Sequence, residues 1–477
     1  MRDYSFGNFL HELRMRRGLT QYQLGALVGV SDKAVSKWEN GSSKPQSSIL
    51  YKLSDVLEIS VDELLTCKYH SPEKKNTKGI FAMKKQLWDK AFGALHERYG
   101  YSVPIEIMNR FLSEYAEMQN TDWIVCFDLL SALVAEAGEH GEHIHLLGGT
   151  GSSFIAYLFG ASEINPLKPH YYCPHCRIVI FDHNTDDGWD LPKRKCSCGK
   201  EMQRDGHNIP FEAYRQVGQT ELNCFVSISP NFRKWIKPLF DEYFKDCQVS
   251  AIERERDGGI MYTIFSGLKS SKTPVCSFTF LEYVQNERYQ ALERATATAF
   301  DRVDFLSTEI LAEFRKCNTD GVIEFDTIFC KNMINEVIPD SFHGLVQIAG
   351  LSHGTGVWFN NAKELINQGI SVSNVIAYRD DVFNRIEKQI MCKGIVNTGY
   401  AYKIMEDTRK GVYFRDGVSD ELKKQLKDIE IEDWFIDSIG KIQYLFQKAH
   451  GITIVKLAVT LMWYKTHYPK EFSEIML

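Results

Sequence analysis

The sequence lacks any apolar run long enough to cross a membrane, and its N-terminus, MRDYSFGNFLHELRMRR, has no signal-peptide core. We therefore expect a cytoplasmic protein without a membrane partner. Cysteines in that compartment are kept reduced, so the twelve cysteines are not expected to form a disulfide framework. An excess of basic residues is also missing. The net charge of −6 excludes a uniformly basic surface, and any contact with DNA has to come from local patches.

The length and composition indicate several globular domains. A chain of 477 residues, 44% hydrophobic and 25% charged, is long enough for two to four domains with cores of their own. The stretch KYHSPEKKNTKG at residues 68–79 is polar and basic and contains Pro72 and Gly79. This composition is typical of a flexible tether. We therefore predict a first domain over residues 1–66 and a linker over residues 67–83.

A small-residue turn lies near the middle of the second region. Gly148, Gly149 and Gly151 precede Ser152 and Ser153, and an apolar helical run follows at residues 154–159. Glycines let backbone N–H groups approach an anion closely, and the serines add hydroxyl donors at a helix start. The turn therefore suits a triphosphate. A tight turn without a ligand explains the same glycines, and this alternative stays open.

Four cysteines follow the turn at the spacing of a metal site. Cys173 and Cys176 form a CxxC pair, and Cys196 and Cys198 form a tighter CxC pair after a loop rich in Asp, Asn and Gly. Four thiolates from two turns are what a tetrahedral structural zinc requires, and such a closed site leaves no position for catalysis. We predict a structural Zn²⁺, with unrelated buried cysteines as the alternative.

These segments resemble a polymerase family. The phrases SEINPL, PHYYCPHC, DLPKRKC and DGHNIPFE are similar, in order and spacing, to the palm and zinc loop of the PolC type of bacterial DNA polymerase III alpha subunit. The resemblance implies a palm-like region at residues 84–340 with a zinc loop at about 170–212. Two departures are visible. The second cysteine pair is CxC where the family has CxxC, and Leu147 stands where the family has an arginine in the turn.

The family's catalytic carboxylates are degenerate in this sequence. A polymerase palm holds two Mg²⁺ ions between carboxylates on adjacent strands. The family carries an Asp-x-Asp strand, whereas the matching strand here, TELNCFVS, has Glu221 and Asn223, and Asp304 is the candidate for a third aspartate. Asparagine brings no charge, so the two-metal site is weakened. We predict no catalytic residues, and Mg²⁺ as a cofactor only if polymerase activity remains.

The resemblance returns at Ser341 and implies a fingers-like region over residues 341–477. The matching phrases include FHGLVQIAGLSHGTGVWFNNAKELI, VIAYRDDV, KIMEDTRKG and IQYLFQKAHG, with Gln447 where the family has proline. We expect the family's exonuclease, PHP-like, helix-hairpin-helix and clamp-binding segments to be missing. Because basic groups of the family's fingers face the nucleotide's phosphates, the predicted phosphate-binding residues are Gly151, Ser152, Ser153, His353, Arg379, Arg409, Lys410, Lys448 and His450.

Residues 1–66 predict a bundle of five short helices. Apolar residues recur at helical spacing over residues 6–17, which predicts the first helix. Four further helices are predicted, each starting at a small polar N-cap residue. These caps are Thr20, Ser31, Ser47 and Ser60. The predicted core is Leu24, Ala26, Leu27, Val35, Trp38, Ile49, Leu53, Leu57 and Leu64.

The segment TQYQLGALVGVSDKAVSKWENGSSKP resembles the helix-turn-helix of the Cro/C1 repressor family. The resemblance implies that the third helix enters the major groove, where Ser31, Asp32, Lys33 and Lys37 reach base edges. The residues that would hold phosphates are Gln21, Asn40, Ser43 and Lys44. A helical bundle that binds protein instead of DNA is the alternative, since Lys33 and Lys37 also fit a solvated charge pair.

The predicted fold class is therefore multidomain: an all-α five-helix domain, an α+β palm and zinc-loop region of the C-family polymerase type, and a mainly α fingers region. The favoured function is a sequence-specific DNA-binding regulatory or interference protein whose inactive polymerase module binds primer-template DNA, a nucleotide or replisome components. A reduced DNA polymerase recruited by the first domain is the alternative, and a mobile-element factor that senses the replicase is a third. The expected partner is a duplex operator, bound as a homodimer on paired half-sites.

Overall fold

The computed structural model describes residues 4–17, 19–45, 47–57, 59, 64, 78–121, 123–214, 221–244, 249–256, 259–266, 274–282, 285–298, 308–394 and 398–477. The chain divides into two compact units, Met1–Lys78 and Gly79–Leu477. Among the helices of the described residues, none has the length and apolar character that a membrane crossing requires.

The first unit contains α1 (Tyr4–Arg16), α2 (Gln21–Val28), α3 (Asp32–Glu39) and α4 (Ser47–Leu57). The predicted caps of α2 and α3 are confirmed, because the Thr20 side chain accepts from the Gln23 N–H and the Ser31 side chain accepts from the Ala34 N–H. The fifth helix, predicted from Ser60, lies largely outside the described residues.

The core of this unit is close to the prediction. Leu24, Val35, Trp38, Leu53, Leu57 and Leu64 are buried, and Leu27 and Ile49 are half-buried. Ala26 was predicted in the core but is exposed, because it lies on the solvent side of α2, two residues from Leu24.

The second unit begins with three long helices, continues through the two sheets and ends in a helical region. Its helices are α5 (Lys78–Tyr99), α6 (Ile105–Thr121), α7 (Ile124–Glu139), α8 (Phe154–Leu158), α9 (Phe211–Tyr214), α10 (Arg233–Phe244), α11 (Gln285–Thr296), α12 (Thr308–Arg315), α13 (Ile328–Val337), α14 (Phe342–His353), α15 (Lys363–Asn367), α16 (Arg379–Cys392), α17 (Thr398–Arg409), α18 (Val412–Asp416), α19 (Asp420–Asp428), α20 (Asp433–Lys441), α21 (Lys448–His467) and α22 (Pro469–Met476).

Its strands are β1 (His145–Leu147), β2 (His170–Tyr172), β3 (Val179–Phe181), β4 (Gln203–Asp205), β5 (Leu222–Ile228), β6 (Val249–Arg256), β7 (Gly259–Ser266) and β8 (Pro274–Glu282). They form a five-stranded sheet in the order β1-β5-β8-β7-β6 and a three-stranded sheet in the order β3-β2-β4. In the larger sheet β5 runs parallel to β8, and the other neighbours are antiparallel. The smaller sheet lies within the predicted zinc loop.

The larger sheet packs one face against helices. On the other face, called the open face below, Asn223 and Phe225 are exposed, whereas Ser227, Ser277 and Thr279 are buried. Cys224, Val226 and Phe278 point into a core shared with α5, α6 and α7, where Leu87 and Phe127 are buried. A second core lies in the helical region after residue 308, where α14 packs against α21 and α16 against α17. The chain is thus multidomain, with a helix-turn-helix unit, an α+β region and a mainly helical region, as the sequence predicts.

One pair of cysteines departs from the expectation that the cysteines are reduced. Cys126 of α7 and Cys276 of β8 form a disulfide with their Cα atoms 6.4 Å apart. Both side chains are buried where α7 lies against the sheet. The two residues are separated by 150 positions, so no spacing pattern in the sequence indicates their contact.

Candidate functional sites

The exposed side of α3 carries the predicted base-reading residues. Ser31, Asp32, Lys33 and Lys37 are exposed, whereas Val35 is buried on the opposite side. The Ser31 hydroxyl is used as the cap, and the Asp32 carboxylate accepts from the Lys33 N–H at 2.8 Å. Both lysine side chains therefore point away from the core, in the position that a major-groove contact requires.

A buried ion pair holds α3 in place. The Glu39 carboxylate accepts from Arg14 Nε at 2.5 Å and from Arg14 Nη2 at 2.9 Å, which joins α1 to α3. Gln21 donates to the same carboxylate at 2.8 Å and ties α2 to it. Burial acts to raise the pKa of Glu39, but the bonds from Arg14, Gln21 and His11 bring it below its usual value. Gln21, predicted to hold a phosphate, thus also positions the recognition helix.

The other predicted phosphate contacts of the first unit lie at the C-terminal end of α3 and beyond it. Asn40, Ser43 and Lys44 are exposed. The Asn40 side chain accepts from the Ser42 N–H at 3.0 Å, which fixes the turn after the helix. The assignment of these residues to phosphates stays a prediction.

The glycine-serine turn of the second unit is largely buried. Gly149–Ser152 forms one turn of 3-10 helix, and Ser153 then caps α8. The Ser152 hydroxyl donates to the Gly149 carbonyl at 2.6 Å. Gly151, Ser152 and Ser153 are all buried, and both serine hydroxyls already donate to protein oxygens. A phosphate bound here, as predicted, would have to use these buried or already bonded groups.

Glu114 is the acceptor at the start of α8. Its carboxylate accepts from the Ser153 hydroxyl at 2.8 Å, the Phe154 N–H at 2.9 Å and the Ile155 N–H at 3.2 Å, and Arg110 Nε donates to it at 2.5 Å. The Glu114 side chain is fully buried. A carboxylate of the chain therefore takes the place at this helix start that the sequence suggests for an anionic ligand.

Gln447 covers the outer side of the same turn. A Cβ built on Gly149 would lie 2.6 Å from Gln447 Oε1 and 2.9 Å from Gln447 Cδ. Gln447 is the N-cap residue of α21, so the helical region closes over the turn at this point. This is the position at which the sequence departs from the polymerase family's proline.

The open face of the larger sheet contains the degenerate metal-ligand positions. Asn223 is exposed on β5, and its side-chain oxygen accepts from the Ser277 hydroxyl of β8 at 2.7 Å. Phe225, 44% exposed, follows on the same face beside Thr279. Glu221 immediately precedes the strand. It is the one residue with a carboxylate among the five named here, which are Glu221, Asn223, Phe225, Ser277 and Thr279. Asp304, the candidate third aspartate, lies outside the described residues.

The four predicted zinc ligands are brought together. The sulfur atoms of Cys173, Cys176, Cys196 and Cys198 all lie within 4.8 Å of one another, and Cys173 Sγ and Cys198 Sγ are 3.7 Å apart. Tetrahedral Zn–S bonds of about 2.3 Å place sulfur atoms roughly 3.8 Å apart, so the donor set fits zinc. Within the described part of the chain, this is the only group of three or more Cys, His, Asp or Glu side chains with metal-site geometry.

Buried polar groups attach the zinc loop to the rest of the unit. Asp205 of β4 accepts from the Tyr157 hydroxyl at 2.7 Å, from Asn165 Nδ2 at 2.8 Å and from Arg98 Nη2 at 3.3 Å. Although burial acts to raise its pKa, the charges of neighbouring His170 and Arg98 hold it well below the usual range. The loop is therefore fixed by a network as well as by its cysteines.

The predicted phosphate-binding cations of the helical region differ in exposure. Arg379 is 2% exposed and Lys448 3% exposed, and the Lys448 N–H donates to Asp380 at 2.9 Å. Arg409, with 23% of its side chain exposed, makes two bonds of 2.9 Å to Glu406. Lys410 Nζ lies 3.2 Å from Glu406 and its side chain is 58% exposed. Arg409 and Lys410 are therefore the two of these four that reach solvent.

The two predicted histidines lie side by side. His353 Nε2 is 3.3 Å from Glu324 Oε2, and His353 Nδ1 donates to the Ala349 carbonyl at 2.7 Å. The bond to Glu324 raises the pKa of His353 and lowers that of Glu324. His450 stacks on Phe446, and burial together with the charge of His353 lowers the pKa of His450.

The ion pair between His353 and Glu324 predicts a contribution to stability that depends on pH. The pKa of Glu324 is lowered from 4.5. The stabilisation that its carboxylate contributes is therefore present above pH 4.5 and is lost as the pH falls through the lowered value. The pKa of His353 is raised from 6.5. The stabilisation that its protonated ring contributes is therefore fully present below pH 6.5 and is lost as the pH rises through the raised value. We expect a coupling energy of about 0.5 kcal/mol near pH 5.5, since the pair is partly exposed, and close to zero near pH 9.

A double-mutant cycle with Glu324→Gln and His353→Gln, followed by urea unfolding at both pH values, measures this coupling. The pair Lys363–Glu336, at 2.8 Å and similarly exposed, is the control because it contains no histidine. A His353–Glu324 coupling that is equal at both pH values contradicts the expectation.

Sequence reasoning did not identify Glu114, Glu406 or Asp205 as residues that organise the sites. Glu114 follows Arg110 by four positions on α6, which is the spacing of a helical ion pair and the one local signal for its role. Glu406 lies three residues before Arg409 with the same kind of signal. Asp205 begins the phrase DGHNIPFE, but no spacing in the chain indicates its partners, which come from residues 98, 157 and 165.

Comparison with known families matches two parts of the chain. Residues 10–64 match the Helix-turn-helix family, and residues 278–428 match the bacterial DNA polymerase III alpha subunit finger domain. The predicted boundary between residues 340 and 341 falls inside the second match.

Curated relatives extend the similarity beyond these two domains. DNA polymerase III PolC-type of Thermotoga petrophila is 29% identical over 465 residues, covering 79% of this chain and 33% of the relative. The protein of the same name from Staphylococcus aureus is 28% identical over 530 residues, covering 92% of this chain and 36% of the relative. The chain thus spans about a third of the length of these relatives. It joins a helix-turn-helix domain of the Cro/C1 type to a region homologous to PolC-type DNA polymerase III that includes the finger domain.

Proposed function

We propose that this protein is a sequence-specific DNA-binding regulatory or interference protein. The observation that carries the proposal is the exposed face of α3, with Lys33 and Lys37 directed outward from a helix whose N-cap and buried anchor are both in place. In a helix-turn-helix domain this is the face that enters the major groove, and lysine recognises guanine O6 and N7 there.

The polymerase-like region acts in this proposal by binding, without nucleotidyl transfer. Two-metal catalysis needs several carboxylates converging on adjacent strands. On this face of the sheet Asn223 is exposed and Glu221 half-buried, while Ser277 and Thr279, the residues opposite Asn223 and Phe225, are buried and bring only hydroxyls. Gln447 and Glu114 further occupy the two sides of the glycine-serine turn, which supports the absence of a triphosphate at that turn.

Contacts of the polymerase-like region with DNA, nucleotide or replication components would use its solvent-facing cations. Arg409 and Lys410 fit this role, while the burial of Arg379 and Lys448 beside Asp380 and Glu406 supports a role in folding for these two. Zinc, held by the four cysteines, is proposed as the structural metal of the loop.

Selection of bound sequences from random duplexes with the full chain tests the DNA-binding function. We expect an enriched motif, and an inverted repeat within it would identify a dimer on paired half-sites. Changing Lys33 or Lys37 to Ala should reduce affinity for that motif by about 1–3 kcal/mol if the lysine contacts a base. Lys52→Ala, exposed on α4, is the matched control. The absence of any enriched motif overturns the proposal.

A further inference from the structure

The recognition helix carries one exposed negative charge. Of the two carboxylates of α3, Glu39 is buried against Arg14, whereas Asp32 is exposed in the first turn. The Asp32 side chain is oriented by its bond to the Lys33 N–H at 2.8 Å. One carboxylate therefore has a fixed position on the face that meets DNA in the proposed function.

Asp32 also borders a recess of about 500 Å³ between the starts of α2 and α3, lined in addition by Thr20, Gln21 and Tyr22. Arg14 contributes to this recess, but its guanidinium is engaged by Glu39 and by the Leu19 carbonyl at 2.6 Å. The charge that the recess presents to solvent next to α3 is therefore that of Asp32.

A carboxylate on this face repels the DNA phosphates, and beyond its bond to the Lys33 N–H it is compensated only where a base donates a further hydrogen bond. The major groove offers two such donors, the N4 amino group of cytosine and the N6 amino group of adenine. Adenine presents the N7 acceptor beside N6, which repels a carboxylate, whereas cytosine has no acceptor in the major groove. The chemistry of Asp32 thus selects cytosine.

We propose that Asp32 is a specificity-determining residue that accepts a hydrogen bond from cytosine N4. The operator half-site then contains a G·C pair opposite the start of α3, and Lys33 lies next to Asp32, within the same turn, as the donor for guanine O6 or N7. This inference rests on the proposed function, because it names the base that the recognition helix reads.

The test compares selections from random duplexes with the full-length protein and its Asp32→Asn variant. Asparagine removes the charge, keeps the size and pairs with adenine through N6 and N7. We expect one motif position to change from cytosine to adenine, with a change of about tenfold or more in the ratio of affinities for the two bases. Glu12→Gln removes an equal charge from an exposed position on α1 and should leave the base preference unchanged.

The outcomes separate this inference from the function on which it rests. If the unmodified protein enriches no motif, the proposed function fails and the inference with it. If a motif is enriched and Asp32→Asn keeps the same base preference at every position, DNA recognition stands and the role of Asp32 is overturned. An equal shift in Glu12→Gln also overturns it, because the effect then comes from net charge alone.

Discussion

Replacing Glu114 by alanine is expected to lower the free energy of unfolding of the second unit by about 3–5 kcal/mol, because a buried charge loses its partner. Arg110, with 10% of its side chain exposed, would keep its charge without the carboxylate. The Phe154 and Ile155 N–H groups and the Ser153 hydroxyl would also lose their acceptor. Glu114→Gln keeps the shape and part of the hydrogen bonding, so a smaller loss is expected.

Urea unfolding followed by tryptophan fluorescence measures this loss. Of the eight tryptophans, Trp38 alone lies in the first unit, so the signal reports mainly on the second. Glu106→Ala removes an exposed carboxylate from the same helix and is expected to cost less than about 1 kcal/mol. Equal midpoints for the Glu114 and Glu106 variants would show that Glu114 does not organise the start of α8.

Replacing Cys173 by serine is expected to abolish zinc binding and to loosen the loop between the two cysteine pairs. A thiolate set with one ligand missing loses most of its affinity, and zinc binding to such sets contributes about 10–16 kcal/mol to folding in small zinc domains. The apolar core of the loop is small, consisting of Tyr171, Leu191 and Met202 around the cysteines. Without zinc, polar contacts such as those of Asp187 with His207 and of Asp190 with the Phe342 N–H would be left to hold it.

Elemental analysis of protein purified without chelator measures the metal content, and we expect one zinc per chain in the unmodified protein and almost none in Cys173→Ser. Cys392→Ser, which removes an exposed free cysteine on α16, is the control and should keep its zinc. Unmodified protein that is correctly folded but contains clearly less than one zinc per chain would contradict a structural zinc site.

The elements that sequence reasoning located correctly are those with local signals. Thr20 and Ser31 are helix caps whose partners lie three residues away, and the paired cysteines lie within two short turns. The strand containing Asn223 was also located from its motif. In each case the determining groups are close together in the chain.

What the sequence left open depends on contacts between distant residues. Glu114 reaches the start of α8 across about 40 positions, and Cys126 meets Cys276 across 150. The burial of Lys448 beside Asp380 likewise arises where the starts of α16 and α21 meet, which the resemblance to the polymerase fingers did not indicate. No periodicity or spacing encodes such contacts, because they arise only when the helices and sheet assemble.

Primer extension by the purified full-length protein, with Mg²⁺ and with Mn²⁺, tests the central claim most directly. The claim is that a DNA-binding unit is joined to a polymerase-like region that no longer transfers nucleotides. With Asn223 bonded to Ser277 on the open face of the sheet and Glu221 as the carboxylate beside it, the account predicts no extended product with either metal. Robust extension by the unmodified protein would contradict the account and establish a reduced polymerase instead.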